Sequence, residues 1–384
     1  MRRRKWLVVA LAAIAVLVTA GIAVSGNGST NNKTFEYSVG LWGDMPYSDI
    51  QAQVGVPNVI ADMNNSDISF SINDGDLKAG SGTPGSATPT TCGDALYTQA
   101  IGYLNALQQP AFFTPGDNDW TDCDRPANGG YNELERLQHE RQVLFSSDRS
   151  FGQKTMQAEV QSTPQCVGTT NTTPGSTAGP YFPTPCVENR RWTFHKVTFA
   201  TVNVQGTCNN RCSSGGGAPD PAGDPVEYQA RNAADIQWLK DTFAQATAQN
   251  SAGVMIVWQA DPGFDLSDGT RAPLRNPTTL VETDGQPDGY HDLLVTLRDL
   301  TIAFKKPVAL VYGDSHYFRV DKPLQDASGK RLENFTRVET FGDNAQNGIN
   351  DNHWVKALID PQSRDVFAFQ AQIVPANRVA VPAP

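Results

Sequence analysis

Five apolar stretches of the chain each end in a short polar loop. Tyr37 to Trp42 runs into Gly43-Asp44, and Ile68 to Ile72 into Asn73-Asp74-Gly75-Asp76. Ala111 to Thr114 runs into Pro115-Gly116-Asp117-Asn118-Asp119-Trp120. Val254 to Trp258 runs into Gln259-Ala260-Asp261, and Val308 to Tyr312 into Gly313-Asp314-Ser315-His316. A single Asp in such a place is a common turn former or helix N-cap. The repetition asks for a joint reading. Carboxylates gathered in one crevice repel one another and persist only where cations neutralise them. Asp44, Asp76, Asp117, Asp314 and His316 in one crevice could hold one or two divalent ions. Two ions about 3.5–4 Å apart activate water and stabilise a phosphoryl group in transfer.

The elements around these loops would bring them together. The five apolar stretches read as strands. Helical spacing covers Val56 to Met63, Ala95 to Gln108, Asn132 to Phe145, Asn232 to Ala248 and His291 to Phe304. Residues 79–91, 160–190 and 207–225 are rich in Gly, Pro, Ser and Thr and read as loops, the middle one stapled by its two cysteines. Strand character returns over Trp192 to Val204, Thr336 to Thr340, Trp354 to Ile359 and Val366 to Ile373. The expected fold is therefore α/β, a layered β-sheet core flanked by helices and decorated by disulfide-stapled loops. In open α/β sheets, sites form beyond the carboxyl ends of strands. Asp44, Asp76, Asp117, Gln259 and Asp314 with His316 all lie there.

The order and spacing of these motifs resemble the calcineurin-like metallophosphoesterase superfamily. Its loops run Asp-x-His, Gly-Asp, Gly-Asn-His-Asp/Glu, a lone His, then Gly-His-x-His. The resemblance spans Tyr37 to Phe341 and implies a β-sandwich of that type. The letters match in part. Pro46 stands at the first-loop His and Asp117 at the metal-binding Asn. Asn118 stands at the His near the leaving group, Gln259 at the lone His, and Asp314 at the first His of the last motif. Position by position, the resemblance implies that Asp76 bridges two ions. Asp44 and His316 would serve one ion, and Asp117, Asp314 and Gln259 the other. The replacements exchange imidazole for oxygen, which favours Mg²⁺, Mn²⁺ or Ca²⁺ over Zn²⁺ or Fe. Asn118 cannot supply a proton at neutral pH, so a general acid must come from elsewhere. His291, just before the last motif strand, is the candidate. Tyr317, Arg319 and Lys322 follow the last motif and could meet a phosphate. Trp120 and Phe318 could wall the pocket, though rings beside strand ends are often plain packing.

Composition sets the setting. The chain has 384 residues, 39% of them hydrophobic and 18% charged, which suits a folded chain with a large core. The formal net charge is -10, and four of the positive charges fall within the first five residues. An acidic body of this kind repels a phosphate backbone, so no nucleic-acid partner is expected. Basic Met1 to Lys5 precedes the apolar run Trp6 to Val24, with Gly21-Ile22-Ala23 as a cleavage site. Residues 1–25 thus read as a signal peptide or an uncleaved membrane anchor, 26–34 as a linker and 35–384 as the folded domain. Export follows from either reading, and membrane contact only from the second.

Six cysteines in an exported chain suggest three disulfides, and six allow 15 pairings. Proximity and loop context favour Cys92–Cys123, Cys166–Cys186 and Cys208–Cys212. Zinc at Cys208-x-x-x-Cys212 is a rival reading that lacks a second ligand pair. The expected function is metal-dependent hydrolysis of a small phosphate mono- or diester, with metal-activated water attacking phosphorus in line. The alternatives are a degenerate protein that keeps the fold and binds metal without turnover, and a structural domain without metal.

Overall fold

Each strand that feeds a site loop is buried on both faces, which is why it reads as an unbroken apolar run rather than an alternating one. The computed structural model describes residues 36–82, 86–174, 179–212, 223–264, 274–283, 285, 287–342 and 350–377. The expected export segment and linker lie outside these residues. Contacts along the chain gather Phe35–Pro384 into one unit.

Two sheets form the core. The first has the order β12-β11-β1-β2-β3, with β1 Tyr37–Trp42, β2 Phe70–Asn73, β3 Ala111–Phe113, β11 Trp354–Ile359 and β12 Phe367–Gln372. The second has the order β4-β5-β6-β7-β8-β10-β9. Its members are β4 Glu159–Thr169, β5 Tyr181–Phe194, β6 Val197–Thr201, β7 Gly253–Val257, β8 Val308–Tyr312, β9 Arg319–Asp321 and β10 Phe335–Glu339. β1, β2 and β3 run parallel, as do β6, β7, β8 and β10. Parallel pairing puts the loops after β1, β2 and β3 at one end of their sheet, and those after β6, β7 and β8 at one end of the other.

Side chains alternate across these strands as the pleat dictates. Met255 and Val257 of β7 face inward with Val39, Leu41, Phe70, Ile72, Phe112 and Val311, forming the apolar layer between the sheets. Val254 and Ile256 face outward with Trp238, Leu239, Phe243, Leu294 and Leu297 of helices Pro225–Ala248 and His291–Phe304. On the other side, helices Val56–Asn64 and Asp94–Ala106 cover the first sheet through Val59, Met63, Tyr97 and Leu104. The layered α/β expectation holds, as helix, sheet, sheet, helix.

Some elements depart from expectation. Residues 160–190 are a long antiparallel pair, β4 and β5, rather than an irregular excursion. Pro164 and Pro185 sit opposite each other where the pairing register shifts and the ladder is already broken. The helix expected from Asn232 starts at Pro225. Asp224 Oδ1 accepts the backbone N–H groups of Val226 at 3.0 Å and Glu227 at 3.1 Å, so Asp-Pro was a cap-and-first-turn signal. Cys92–Cys123, Cys166–Cys186 and Cys208–Cys212 are joined.

Candidate metal centre

The site is built where backbones approach too closely for side chains. A Cβ on Gly313 would stand 1.7 Å from Asp44 Oδ2, and one on Gly116 would stand 2.1 Å from Asp76 Oδ1. Glycine at these positions leaves room for a carboxylate oxygen against a Cα. The Gly-Asp pairs of the sequence are therefore a packing device: the glycine of one loop makes space for the aspartate of another. Asp44, Asp76, Asp314 and His316 have φ of 51°, 57°, 69° and 61°. This left-handed region costs a non-glycine residue roughly 1–2 kcal/mol, and such strain clusters at functional sites.

Backbone bonds stitch the loops together. Asp44 N–H donates to Gly75 O at 3.0 Å, and Gly313 N–H to Gln259 O at 3.1 Å. Asp119 ties the second loop to the third. Its carboxylate accepts N–H groups from Asp76 at 3.1 Å, Leu77 at 2.6 Å and Gly116 at 2.8 Å.

Asp44, Asp76 and His316 converge, each offering a ligand atom within 4.8 Å of the other two. His316 Nε2 lies 3.3 Å from Asp44 Oδ1. Asp44 is fully buried, and its Oδ2 has no hydrogen-bond partner. Burial raises the Asp44 carboxyl pKa, partly offset by His316. Burial and then neighbouring Asp117 push Asp76 and Asp314 well above the usual carboxylate range. Burial lifts Asp119 to about 6. An orphaned buried oxygen, raised acids and one imidazole at strained positions fit a divalent cation, which supplies the charge the protein lacks there. Lys78 is the nearby built-in counter-charge. It is buried, its Nζ donates to Ala79 O at 3.0 Å, and burial lowers its pKa to about 8.

The other expected residues take varied places. Asp117 and Asp314 flank the triad. A Cβ on Gly206 would stand 2.5 Å from Asp117 Oδ2 and 3.0 Å from Asp314 Oδ1. Asp314 Oδ2 accepts Asp261 N–H at 2.8 Å. Gln259 links two loops through its side-chain amide. Its oxygen accepts Gly206 N–H at 2.6 Å, and the amide Nε2 donates to Asp117 Oδ1 at 3.2 Å. Asn118 lies in the site as a donor, with Nδ2 to Asp76 Oδ2 at 2.7 Å and to Tyr47 Oη at 3.1 Å.

His291 lies elsewhere. Its ring contacts Asp292 Oδ1 at 3.1 Å and Thr279 O at 3.2 Å, and no site carboxylate is among these partners. Arg319 is buried in an ion pair with Glu339 at 2.6 Å and Asp261 at 3.4 Å, so it braces the last loop instead of facing solvent. Tyr317 is 50% exposed beside it. Lys322 donates to Glu333 O and Phe335 O, at the start of β10 and so at the opposite end of the strands. Trp120 is fully buried under Arg231, and Phe318 stacks on Phe341 with ring centroids 4.7 Å apart.

Tyr47 enters the site unforeseen. Its hydroxyl donates to Asp76 Oδ2 at 2.8 Å and lies 3.2 Å from His316 Nε2. The first-loop His position holds Pro46, and the next residue brings a polar group in from the same loop. Asp119 stood inside a motif quoted from the sequence, while Lys78, two residues past Asp76, did not.

Fold and site together define a helix-flanked double sheet with a carboxylate–imidazole cluster at its strand ends. No family model and no curated protein sequence matches the chain. Among solved structures, the fold is similar to GAP50, the anchor in the inner membrane complex of Plasmodium, at 10% identity and TM-score 0.37 over 88% of each chain. It is similar to 5'-nucleotidase from Candida albicans SC5314 at 10% identity and TM-score 0.36, over 88% of this chain and 51% of that one. The chain thus spans about half the length of the nucleotidase. Likeness at this level bears on neither protein's activity being present here.

Proposed function

We propose that the chain is an exported, divalent-cation-dependent hydrolase of small phosphate mono- or diesters. The observation that carries the reading is the convergence of Asp44, Asp76 and His316, with one carboxylate oxygen left without a partner. These three residues would hold the cation, with Asp117 and Asp314 alongside for a second. A bound cation would supply Lewis-acid polarisation of a phosphoryl oxygen and an acidified water. Two carboxylates with one imidazole suit Mn²⁺ or Mg²⁺ better than a thiolate-seeking metal.

The chain's own residues do the rest. Asn118 Nδ2 and the Tyr47 hydroxyl both donate to Asp76 Oδ2 and would orient that carboxylate toward the cation. Neither is a strong acid at neutral pH, so the reading favours esters whose leaving groups need no proton. Three disulfides suit an oxidising compartment, and among the described residues no helix is long and apolar enough to cross a membrane.

The test is turnover of a chromogenic phosphomonoester and phosphodiester with Mn²⁺ or Mg²⁺, and its loss in Asp76→Asn. Cation-dependent thermal stabilisation without turnover of either ester would leave a binding protein. Melting that is identical with and without EDTA would remove the metal as well.

A further inference from the structure

Residues Thr207 to Asn210 form one turn of left-handed helix without a glycine, with φ of 48°, 55°, 55° and 59°. Asparagine tolerates this region, but threonine is β-branched and cysteine has no local hydrogen bond to favour it. At roughly 1–2 kcal/mol per residue, the turn persists only if its surroundings hold it. They do so from both sides. Arg231 donates from Nη1 to Asn209 Oδ1 at 2.7 Å and from Nη2 to Asn209 O at 2.9 Å. Asn210 Nδ2 donates to Glu227 Oε2 at 3.0 Å. The Cys208–Cys212 disulfide closes the turn four residues on.

What this turn presents to the metal centre is the Thr207 hydroxyl, 2.8 Å from Asp117 Oδ2 and 2.8 Å from Asp122 Oδ1. Gly206, just before it, donates its N–H to Gln259, whose amide in turn donates to Asp117 Oδ1. Both oxygens of Asp117 therefore meet donors governed by one turn: Thr207 directly, Gly206 through Gln259. In another chain conformation Thr207 would point away and Asp117 Oδ2 would lose this donor, with Oδ1 still held by Asn118 N–H at 3.0 Å.

We infer that Thr207 is a positioning residue for Asp117, and that the disulfide-closed left-handed turn exists to hold it there. This deepens the cation reading and rests on it. Groups that orient metal ligands typically change affinity by about 10–100-fold when removed.

The experiment titrates Mn²⁺ into wild type, Thr207→Ser, Thr207→Val and Cys208→Ser/Cys212→Ser, following free Mn²⁺ by its paramagnetic resonance signal. Ester hydrolysis against Mn²⁺ concentration is measured in parallel. Thr207→Val should bind Mn²⁺ about 10–100-fold more weakly and recover its turnover at high Mn²⁺. Thr207→Ser, which keeps the hydroxyl, should behave like wild type, and the double serine variant should fall on the valine side. A role confined to packing would lower the melting temperature in EDTA without moving the Mn²⁺ curve. Valine and double serine variants that bind like wild type overturn the inference while leaving the site reading intact. A wild type that takes up no Mn²⁺ overturns both. Should Thr207→Val fail to fold, the double serine variant decides on the same titration.

Discussion

Asp314 donates its backbone N–H to Asp44 Oδ1 across 2.8 Å, joining loops 270 residues apart in sequence. The same oxygen lies 3.3 Å from His316 Nε2. One carboxylate oxygen thus serves a backbone donor and an imidazole, while its twin has no partner. That asymmetry leaves one position open for a cation.

Cation binding should follow Asp44 and Asp76 together. Isothermal titration of Mn²⁺ into the metal-stripped protein should give saturable binding. A ligand at about 100 times its dissociation constant adds about 2.7 kcal/mol of stability. Asp44→Asn and Asp76→Asn should each abolish that gain. Retention of the gain in either variant would remove that residue from the ligand set.

The pH dependence has a definite sign. In the cation-free fold, burial holds Asp119 at about 6 and Asp76 and Asp314 well above the ordinary range. The unfolded chain releases those protons near pH 4. The folded state then carries more protons, so these groups contribute most stability below about pH 4 and lose it as pH rises through their folded values. Bound cation needs the ionised forms and opposes the loss. The gap between melting curves in Mn²⁺ and in EDTA should therefore widen from pH 4 to pH 8. A gap independent of pH would contradict this.

Tyr47→Phe removes the hydroxyl that bonds Asp76 and meets His316. Asp76 Oδ2 keeps the Asn118 donor at 2.7 Å, so cation-free protein should lose about 0.5–1.5 kcal/mol, the net worth of one hydrogen bond. Cation at saturation should satisfy Asp76 instead and shrink the loss. Equal losses in chemical denaturation with and without Mn²⁺ would place Tyr47 outside the cation's surroundings.

Arg319→Ala tests a role in bracing against a role in substrate contact. It would strand buried Glu339 and Asp261, and removing one partner of a buried pair costs about 3–5 kcal/mol. The expected result is a large drop in the denaturation midpoint. Tyr317→Ala, at an exposed ring, should stay within about 0.5 kcal/mol of wild type. A normal midpoint in Arg319→Ala with a raised KM would return Arg319 to the substrate.

His291→Ala should leave turnover unchanged, since its ring meets Asp292 and Thr279 rather than the cluster. A fall in kcat confined to the alkaline or acid limb of the pH profile would reinstate it as an acid.

The strands leading to the site were legible because burial on both faces writes itself as an apolar run, as in Val308 to Tyr312. Asp44 and Asp76 were legible as neighbours because parallel β1 and β2 end on the same side; His316 comes from the second sheet, and only its strand-end position was legible. The bond from Gly206 N–H to the Gln259 oxygen was not legible, since nothing local in the sequence pairs those two positions. Arg319 was misread because a charged residue after a motif looks exposed until Glu339, twenty positions on, is known to face it. Thr207 was invisible: its role comes from a left-handed backbone that no residue in Gly-Thr-Cys-Asn announces.

The stitching of the loops through main-chain atoms has an evolutionary consequence. Because Asp119 grips three backbone N–H groups and strand-end loops bond one another through peptide groups, much of the frame is independent of the inward-pointing side chains. A change of ligand at a position such as 314 would then retune the choice of ion without rebuilding the scaffold.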